Sequence, residues 1–344
     1  MKRPIWLLRL MIVVVAVVCT AVFVPWDLAY AYFAPLPNTV QAQVEDAAPH
    51  GLDGVIVYVD QGGKPPAFYA AGWKDRVVKT PADPHALFKI ASISKLYIAV
   101  AAAKLVEDKR LSLDDTLAHL LPDVAGRIEN ADKITLRMML QHRSGIPNFT
   151  DARAFRWDRM TDPEAVLNLV LDKPADFEPG SRHSYSNTNY LLVGRILDKT
   201  LGYDHQAYIK AEILTPLGLT HTYGRLSEIN PADLASGYVF GLDGDMKPLD
   251  NVIAGGSMVA TAQDVGIFLR ALNDGSLLDD GEQAVYSSIY EYEHTGLVPG
   301  YQSIARYHKD IDTVVVQFVS TSGGNAWTKS DIVYDRIVRI LRKG

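Results

Sequence analysis

FKIASISKLY, residues 88–97, sets the reading of this chain. It places Ser92 three residues before Lys95, at the head of a run of helical composition that continues through Ala101, Ala102, Ala103 and Leu105 to Glu107. Residues three apart on a helix share a face, so the Lys95 amine falls beside the Ser92 hydroxyl. A serine hydroxyl becomes a useful nucleophile only when a neighbouring base takes its proton. A lysine serves as that base when burial or a second cation lowers its pKa from about 10.4. Ile90, Ile93 and Leu96 are the apolar neighbours available to bury it. The first turn of such a helix also offers unpaired N–H groups to a developing oxyanion. Taken alone, Ser-x-x-Lys is read more economically as an N-cap serine and a surface lysine.

Two downstream stretches change that balance. In PGSRHSYSNTNY, residues 179–190, Tyr185 and Asn187 stand two apart in a loop that leads into a helix. Residues two apart in extended backbone project to one side. A tyrosine hydroxyl near a lysine relays a proton, and an asparagine amide can bind a substrate amide and the lysine together. In YEHTGLVPGYQ, residues 292–302, His294, Thr295 and Gly296 precede a β run. A glycine in a strand admits a close backbone neighbour, so an extended substrate can lie along this strand. The N–H of Leu297 is then the partner of the Ser92 N–H in an oxyanion hole, and His294 adds a polar or cationic group to the cleft. Each of these two stretches, alone, reads as ordinary structure: a capping asparagine by a core tyrosine, and a strand-edge histidine before a turn.

The order Ser-x-x-Lys, Tyr-x-Asn, His-Thr-Gly, each occurring once, resembles the penicillin-recognising serine hydrolases, close to the class C β-lactamase and DD-peptidase branch. Residues 134–149 (ITLRMMLQHRSGIPNF), 177–202, 213–222 and 254–272 carry the same resemblance, which extends over about residues 40–340. The resemblance implies an α+β, β-lactamase/transpeptidase-like fold: an antiparallel sheet flanked by helices, with an inserted mainly helical domain. It implies Ser92 as the acylated nucleophile and Lys95 and Tyr185 sharing the general-base and general-acid work. Asn187 orients the substrate amide, and His294, Thr295 and Gly296 line the opposite wall. It implies no cofactor and no metal. Small-molecule or peptidoglycan-type substrates, as peptide, ester or β-lactam, are expected. The third motif opens with a histidine, where β-lactamases of this branch typically have lysine and where DD-peptidases and esterase-like relatives also have histidine. A histidine is only partly charged at neutral pH. DD-peptidase-like or esterase-like action is therefore favoured over a true β-lactamase, with a penicillin-binding sensor or scaffold of little turnover as the alternative. Glu178, ahead of Pro179-Gly180, reads as a turn residue, and His142 and Ser144 as structural loop residues.

Composition agrees with an enzyme body and excludes other classes. At 344 residues the chain has material for a large core, and a net charge of −6 makes nucleic acid an improbable partner. No G-x-S-x-G, G-x-G-x-x-G, phosphate loop or H-E-x-x-H occurs. The sole cysteine, Cys19, lies in the N-terminal apolar run, so the body has no disulfide. Runs 54–59 (GVIVYV) and 67–73 (AFYAAGW), separated by Gly62–Pro66, read as a hairpin. Two more β runs, 301–307 and 313–319, and an amphipathic helix over about 329–342 close the chain. Strands at both ends give an α/β domain from 35–110 and 285–344, with a mainly helical domain over 111–284. Arg336, Arg339, Arg342 and Lys343 read as a solvated helix face.

Lys2, Arg3 and Arg9 precede fifteen uncharged residues, Leu10 to Val24, which reads as export with the cationic end left in the cytoplasm. Residues 1–34 are thus a signal peptide or a membrane anchor. Ala29-Tyr30-Ala31 fits a cleavage site; the length of the run and the belt of Trp26, Tyr30, Tyr32 and Phe33 favour the uncleaved anchor. A lipoprotein is disfavoured by Val18 before Cys19. The body is expected in the periplasm, or held on the inner membrane outside the cytoplasm.

Overall fold

Two valine-rich runs from opposite ends of the chain lie side by side. The computed structural model describes residues 5–344; Lys2 and Arg3, the cationic start, lie outside the described residues. Six strands form one antiparallel sheet: β1 (Gly54–Gln61), β2 (Ala67–Asp75), β3 (Thr80–Pro81), β4 (His294–Val298), β5 (Tyr301–His308) and β6 (Thr313–Val319). Their spatial order is β3-β2-β1-β6-β5-β4, so the two chain ends meet at the β1–β6 pair, with Val55 opposite Val319 and Gln61 opposite Thr313.

The alternation along β1 explains why its run from Val55 to Val59 has no polar break. Ile56 and Tyr58 face one side, together with Val314, Val316 and Phe318 of β6. Val55, Val57 and Val59 face the other, with Val315 and Val319. A sheet covered on both faces needs apolar residues at every position. The helices include, in chain order, α1 (Ile5–Phe23), α2 (Trp26–Phe33), α3 (Val40–Ala47), α4 (Ser94–Glu107), α5 (Asn187–Leu201), α6 (Ala262–Asp274) and α7 (Ala326–Leu341), with others between them. Helices α3 and α7 cover the Val55 face, and α6 covers the Tyr58 face through Val265, Phe268 and Leu269.

Helix α4 runs through the middle of the larger core, and every residue from Leu96 to Ala103 is buried. An all-round apolar helix belongs in an interior, and its alanines let neighbouring elements approach. The segment between α4 and β4 is less helical than its pattern implies. It includes the two-residue strands Thr222–Tyr223, Tyr238–Val239 and Val259–Ala260. Residues 240–258 hold no helix; Gly241, Gly244 and Gly255 take positive φ there, a conformation that breaks helices.

The C-terminal basic face departs from expectation. Arg336 is buried, and its guanidinium donates to Gln43 Oε1 at 2.5 Å and to the carbonyls of Ala34 and Pro35 at 2.7 Å each. It is a clamp on the segment entering α3, because a fixed fork of donors suits carbonyls that have no helix partner. Helix α2 docks beside it. Asp27 pairs with Lys329 at 2.5 Å, and Tyr30 donates to Asp46 at 2.8 Å and stacks on His50. Among the described residues no single helix is long and apolar enough to cross a membrane; the pair Arg9–Phe23 and Trp26–Phe33 passes by length and composition together, bent by 81°.

Candidate active site

Ser92 sits in a 3-10 turn, Ala91–Ile93, and the α-helix proper begins at Ser94. The helix therefore starts two residues after the serine. The turn is held by the Ser94 hydroxyl, which donates to Ala91 O at 2.6 Å. Ala91 has φ +49°, a left-handed conformation uncommon for a residue with a side chain. Such a residue persists only where its surroundings over-determine it, and such sites cluster around catalysis.

Lys95 is fully buried and directs Nζ at three acceptors: Ser92 Oγ at 3.0 Å, Asn187 Oδ1 at 3.0 Å and Gly255 O at 2.8 Å. This geometry suits either protonation state. An ammonium donates to all three; a neutral amine donates to Asn187 and Gly255 and turns its lone pair to the Ser92 hydroxyl. The Tyr185 hydroxyl lies 2.9 Å from Ser92 Oγ on the solvent side. Tyr185 and Asn187 come from one extended residue, Ser186, and the start of α5. The sequence spacing thus brings Tyr185 to Ser92 and Asn187 to Lys95, each from about ninety residues away.

On the facing wall, β4 carries His294, Thr295 and Leu297 along the cleft, whereas Gly296, expected to line it too, is buried behind it against the nucleophile's turn. A Cβ on Gly296 would fall 2.3 Å from Ile90 O, so only glycine lets β4 lie against the nucleophile's turn. Ser303 Oγ donates to the same carbonyl at 3.2 Å and holds it in place. Ser92 and Leu297 both line the cleft.

His294 is not the cation that the sequence allowed. Its Nε2 meets the Tyr290 hydroxyl at 2.9 Å, and its Nδ1 turns to Thr295 O. Burial and the neighbouring Lys95 charge push its pKa down to about 4, so the ring is neutral at pH 7.

Sequence reasoning missed several residues. Asn148 Oδ1 accepts from the Asn187 backbone N–H at 3.0 Å and its side-chain amide at 3.3 Å. Gly255 supplies the third acceptor for Lys95, and Tyr290 fixes His294. Asn148 and Gly255 lie inside stretches singled out above, but nothing in their types announces a role. Trp157, Met160 and Trp327 add apolar walls to a cleft of about 450 Å³. His142, read as structural, is a buried residue beneath Tyr185, ring centroids 4.4 Å apart. Its Nδ1 accepts from the Ser186 N–H at 3.2 Å, which places Tyr185 and Asn187 on either side. Burial, chiefly, pushes its pKa down to about 2.

Glu178 is exposed and 4.0 Å from Lys133; the cleft lining does not include it. Lys89 is buried and donates to the carbonyls of Met246, at 3.0 Å, and Lys247, at 2.9 Å, and to that of Leu249. It secures the loop that leads to Asn251 and Ile253 in the cleft. Asp198, Asp204 and His205 lie close together. Asp204 caps a short helix and pairs with Arg225, and Asp198 accepts from His205, so local structure accounts for all three.

A family model described as Beta-lactamase matches residues 38–288. Among curated proteins, Protein flp of Staphylococcus aureus is 27% identical over 212 residues, 59% of this chain and 42% of that one. Penicillin-binding protein 4* of Bacillus subtilis is 26% identical over 198 residues, 56% of this chain and 43% of that one. The chain thus spans less than half the length of these relatives. Among solved structures, the D-amino acid amidase from Ochrobactrum anthropi SV3 superposes with a TM-score of 0.78 at 24% identity, covering 92% of this chain and 99% of that one. A penicillin binding protein from Bacillus halodurans gives 0.73 at 22% identity, covering 88% and 99%.

Proposed function

This chain belongs to the Beta-lactamase family, and on that premise we propose that it is a serine hydrolase that works through an acyl-enzyme on Ser92. The observation that carries this reading is the position of Ser92 Oγ, 3.0 Å from Lys95 Nζ and 2.9 Å from the Tyr185 hydroxyl. Oγ attacks a carbonyl carbon as its proton passes to the Lys95–Tyr185 pair. The oxyanion is held by the N–H groups of Ser92 and Leu297. The bond to the leaving group breaks, and that group takes a proton from Tyr185. Water then adds to the acyl carbon, giving a proton to the same pair. The carbon–Oγ bond breaks, and Ser92 regains its proton. Asn187, braced by Asn148, fixes the lysine and orients the substrate amide.

Amides and esters are the substrates, in keeping with the amidase whose fold it shares; D-amino acid amides and esters are the first to try. A β-lactamase reading fits less well, because the neutral His294 offers no cation to a β-lactam carboxylate. The test is hydrolysis of p-nitrophenyl acetate and of D-phenylalanine amide by the full chain. We expect Ser92→Ala to fall to background. Equal rates in wild type and variant would overturn the reading.

The body works outside the cytoplasm, with α1 and α2 retained as its anchor. The candidate cleavage site Ala29–Ala31 lies within α2, whose Asp27 and Tyr30 are tied to the body. Trp26, Tyr32 and Phe33 remain exposed there, as interfacial aromatics would. The intact mass of the membrane-extracted protein tests this: a mass that still includes residues 5–31 supports the anchor, and loss of that segment refutes it.

A further inference from the structure

His294 lines the cleft, yet both its nitrogens are engaged away from any ligand. Nε2 faces the Tyr290 hydroxyl at 2.9 Å, and Nδ1 turns to the backbone carbonyl of Thr295. The rings of His294 and Tyr290 stack, 16° from parallel, which fixes the arrangement. Nδ1–H donates to the carbonyl, so Nε2 presents only a lone pair, and it accepts the hydrogen bond that the Tyr290 hydroxyl donates. Burial and Lys95 disfavour a second proton on the ring. Among the described residues, no Asp, Glu, Lys or Arg lines the cleft. The nearest ammonium, Lys95, already has three acceptors.

The leaving group must collect its proton beside the Tyr185 hydroxyl, the donor that reaches Ser92 Oγ on the open side. The Tyr185 and His294 rings are 6.4 Å apart. The leaving group therefore emerges past a neutral imidazole, Thr295 and the apolar Leu297 and Val298. A carboxylate in that position loses water and gains no cation, which is unfavourable. An ester or carboxamide loses less and meets the same hydroxyl and strand.

We propose that the enzyme selects substrates whose leaving group is uncharged, namely simple esters and amides, and discriminates against leaving groups that carry a carboxylate, including carboxyl-terminal peptides and penicillins. This rests on the reading of Ser92 as nucleophile. The selection is a property of the His294–Tyr290 lock, since Lys95 and Tyr185 treat both kinds of substrate alike.

A matched pair of esters tests it on the full chain. In N-acetyl-D-alanyl-D-lactate and the corresponding lactamide, the acyl group and scissile bond are the same, and only the carboxylate and carboxamide differ. We expect kcat/KM to be at least tenfold higher for the lactamide. Replacing His294→Lys should narrow or reverse the ratio by raising the rate on the lactate, a gain that misfolding cannot produce. Equal rates, or a preference for the lactate with both dependent on Ser92, overturn the selectivity and leave the nucleophile intact. Failure to cleave the lactamide, while p-nitrophenyl acetate is still hydrolysed through Ser92, also overturns it. Hydrolysis that survives in Ser92→Ala removes the premise instead.

Discussion

Gly255 turns its carbonyl oxygen onto Lys95 Nζ at 2.8 Å, and it has no space for a side chain beside that same lysine. A Cβ at Gly255 would lie 2.8 Å from Lys95 Cγ and 3.0 Å from Tyr190 Cβ, on a backbone with φ +76°. Gly255→Ala therefore displaces the lysine from Ser92. Misplacement on the order of 1 Å can lower a rate about a hundredfold, so we expect a fall of roughly that size in kcat/KM. Overpacking of this kind costs about 1–3 kcal/mol, to be read from urea unfolding. Unchanged kinetics would mean that the Gly255 contact does not position Lys95.

Lys95 and Ser92 should differ in what they do for stability but not in what they do for catalysis. Ser92→Ala and Lys95→Ala are each expected to lower kcat/KM by about a thousandfold or more, as members of one catalytic unit do. Lys95→Ala also removes a buried partner from Asn187 Oδ1 and Gly255 O, so its melting temperature should drop while that of Ser92→Ala stays near wild type. Lys95→Arg should not restore activity, because a guanidinium keeps its proton.

Arg336 serves the fold and lies far from the chemistry. Arg336→Met leaves the carbonyls of Ala34 and Pro35 and the Gln43 amide without their donor. Gln43 is buried, and an orphaned buried acceptor costs about 1–3 kcal/mol, whereas the carbonyls of Ala34 and Pro35 are nearer to solvent and lose less. A lower urea midpoint with unchanged kcat/KM at low temperature is the expected result. A loss of kcat/KM in the folded variant would count against this assignment.

The strands were legible because their signals are local. Residues 54–59 carry no polar break and 313–319 are apolar except for Thr313 and Gln317, and a strand buried on both faces reads that way in any context. Ser92, Lys95, Tyr185 and Asn187 were legible through the order of the three motifs taken together, since each spacing alone reads as ordinary structure. What was not legible depends on distant partners. The charge state of His294 is set by Tyr290, Thr295 and burial, and the motif alone carries none of these. Arg336 has the pattern of a solvated helix face until the segment at Ala34–Pro35 folds over it. Asn148 and Gly255 act through a backbone carbonyl and a second amide, groups every residue or many residues possess.

Acid should weaken the fold through His142. Its pKa is near 6.5 when unfolded and is pushed down to about 2 when folded, mainly by burial. Below pH 6.5 the unfolded chain binds a proton that the native state does not, so stability present at pH 7 is lost as pH falls toward that folded value. Between pH 7 and pH 5 this group accounts for about 2 kcal/mol. His142 has φ +55°, which asparagine tolerates. His142→Asn should therefore show a shallower decline of unfolding free energy over this range than wild type. Parallel slopes would contradict the burial of a neutral ring there.

The most direct test of the account is to trap the acyl-enzyme. The full chain in detergent is mixed with p-nitrophenyl acetate, quenched in acid within the first turnover, digested and read by mass spectrometry. The account predicts one acetyl group on the peptide bearing Ser92, absent from Ser92→Ala, with Lys95→Ala acylated far more slowly. Acetylation confined to other residues, or hydrolysis at the wild-type rate in Ser92→Ala, would contradict it.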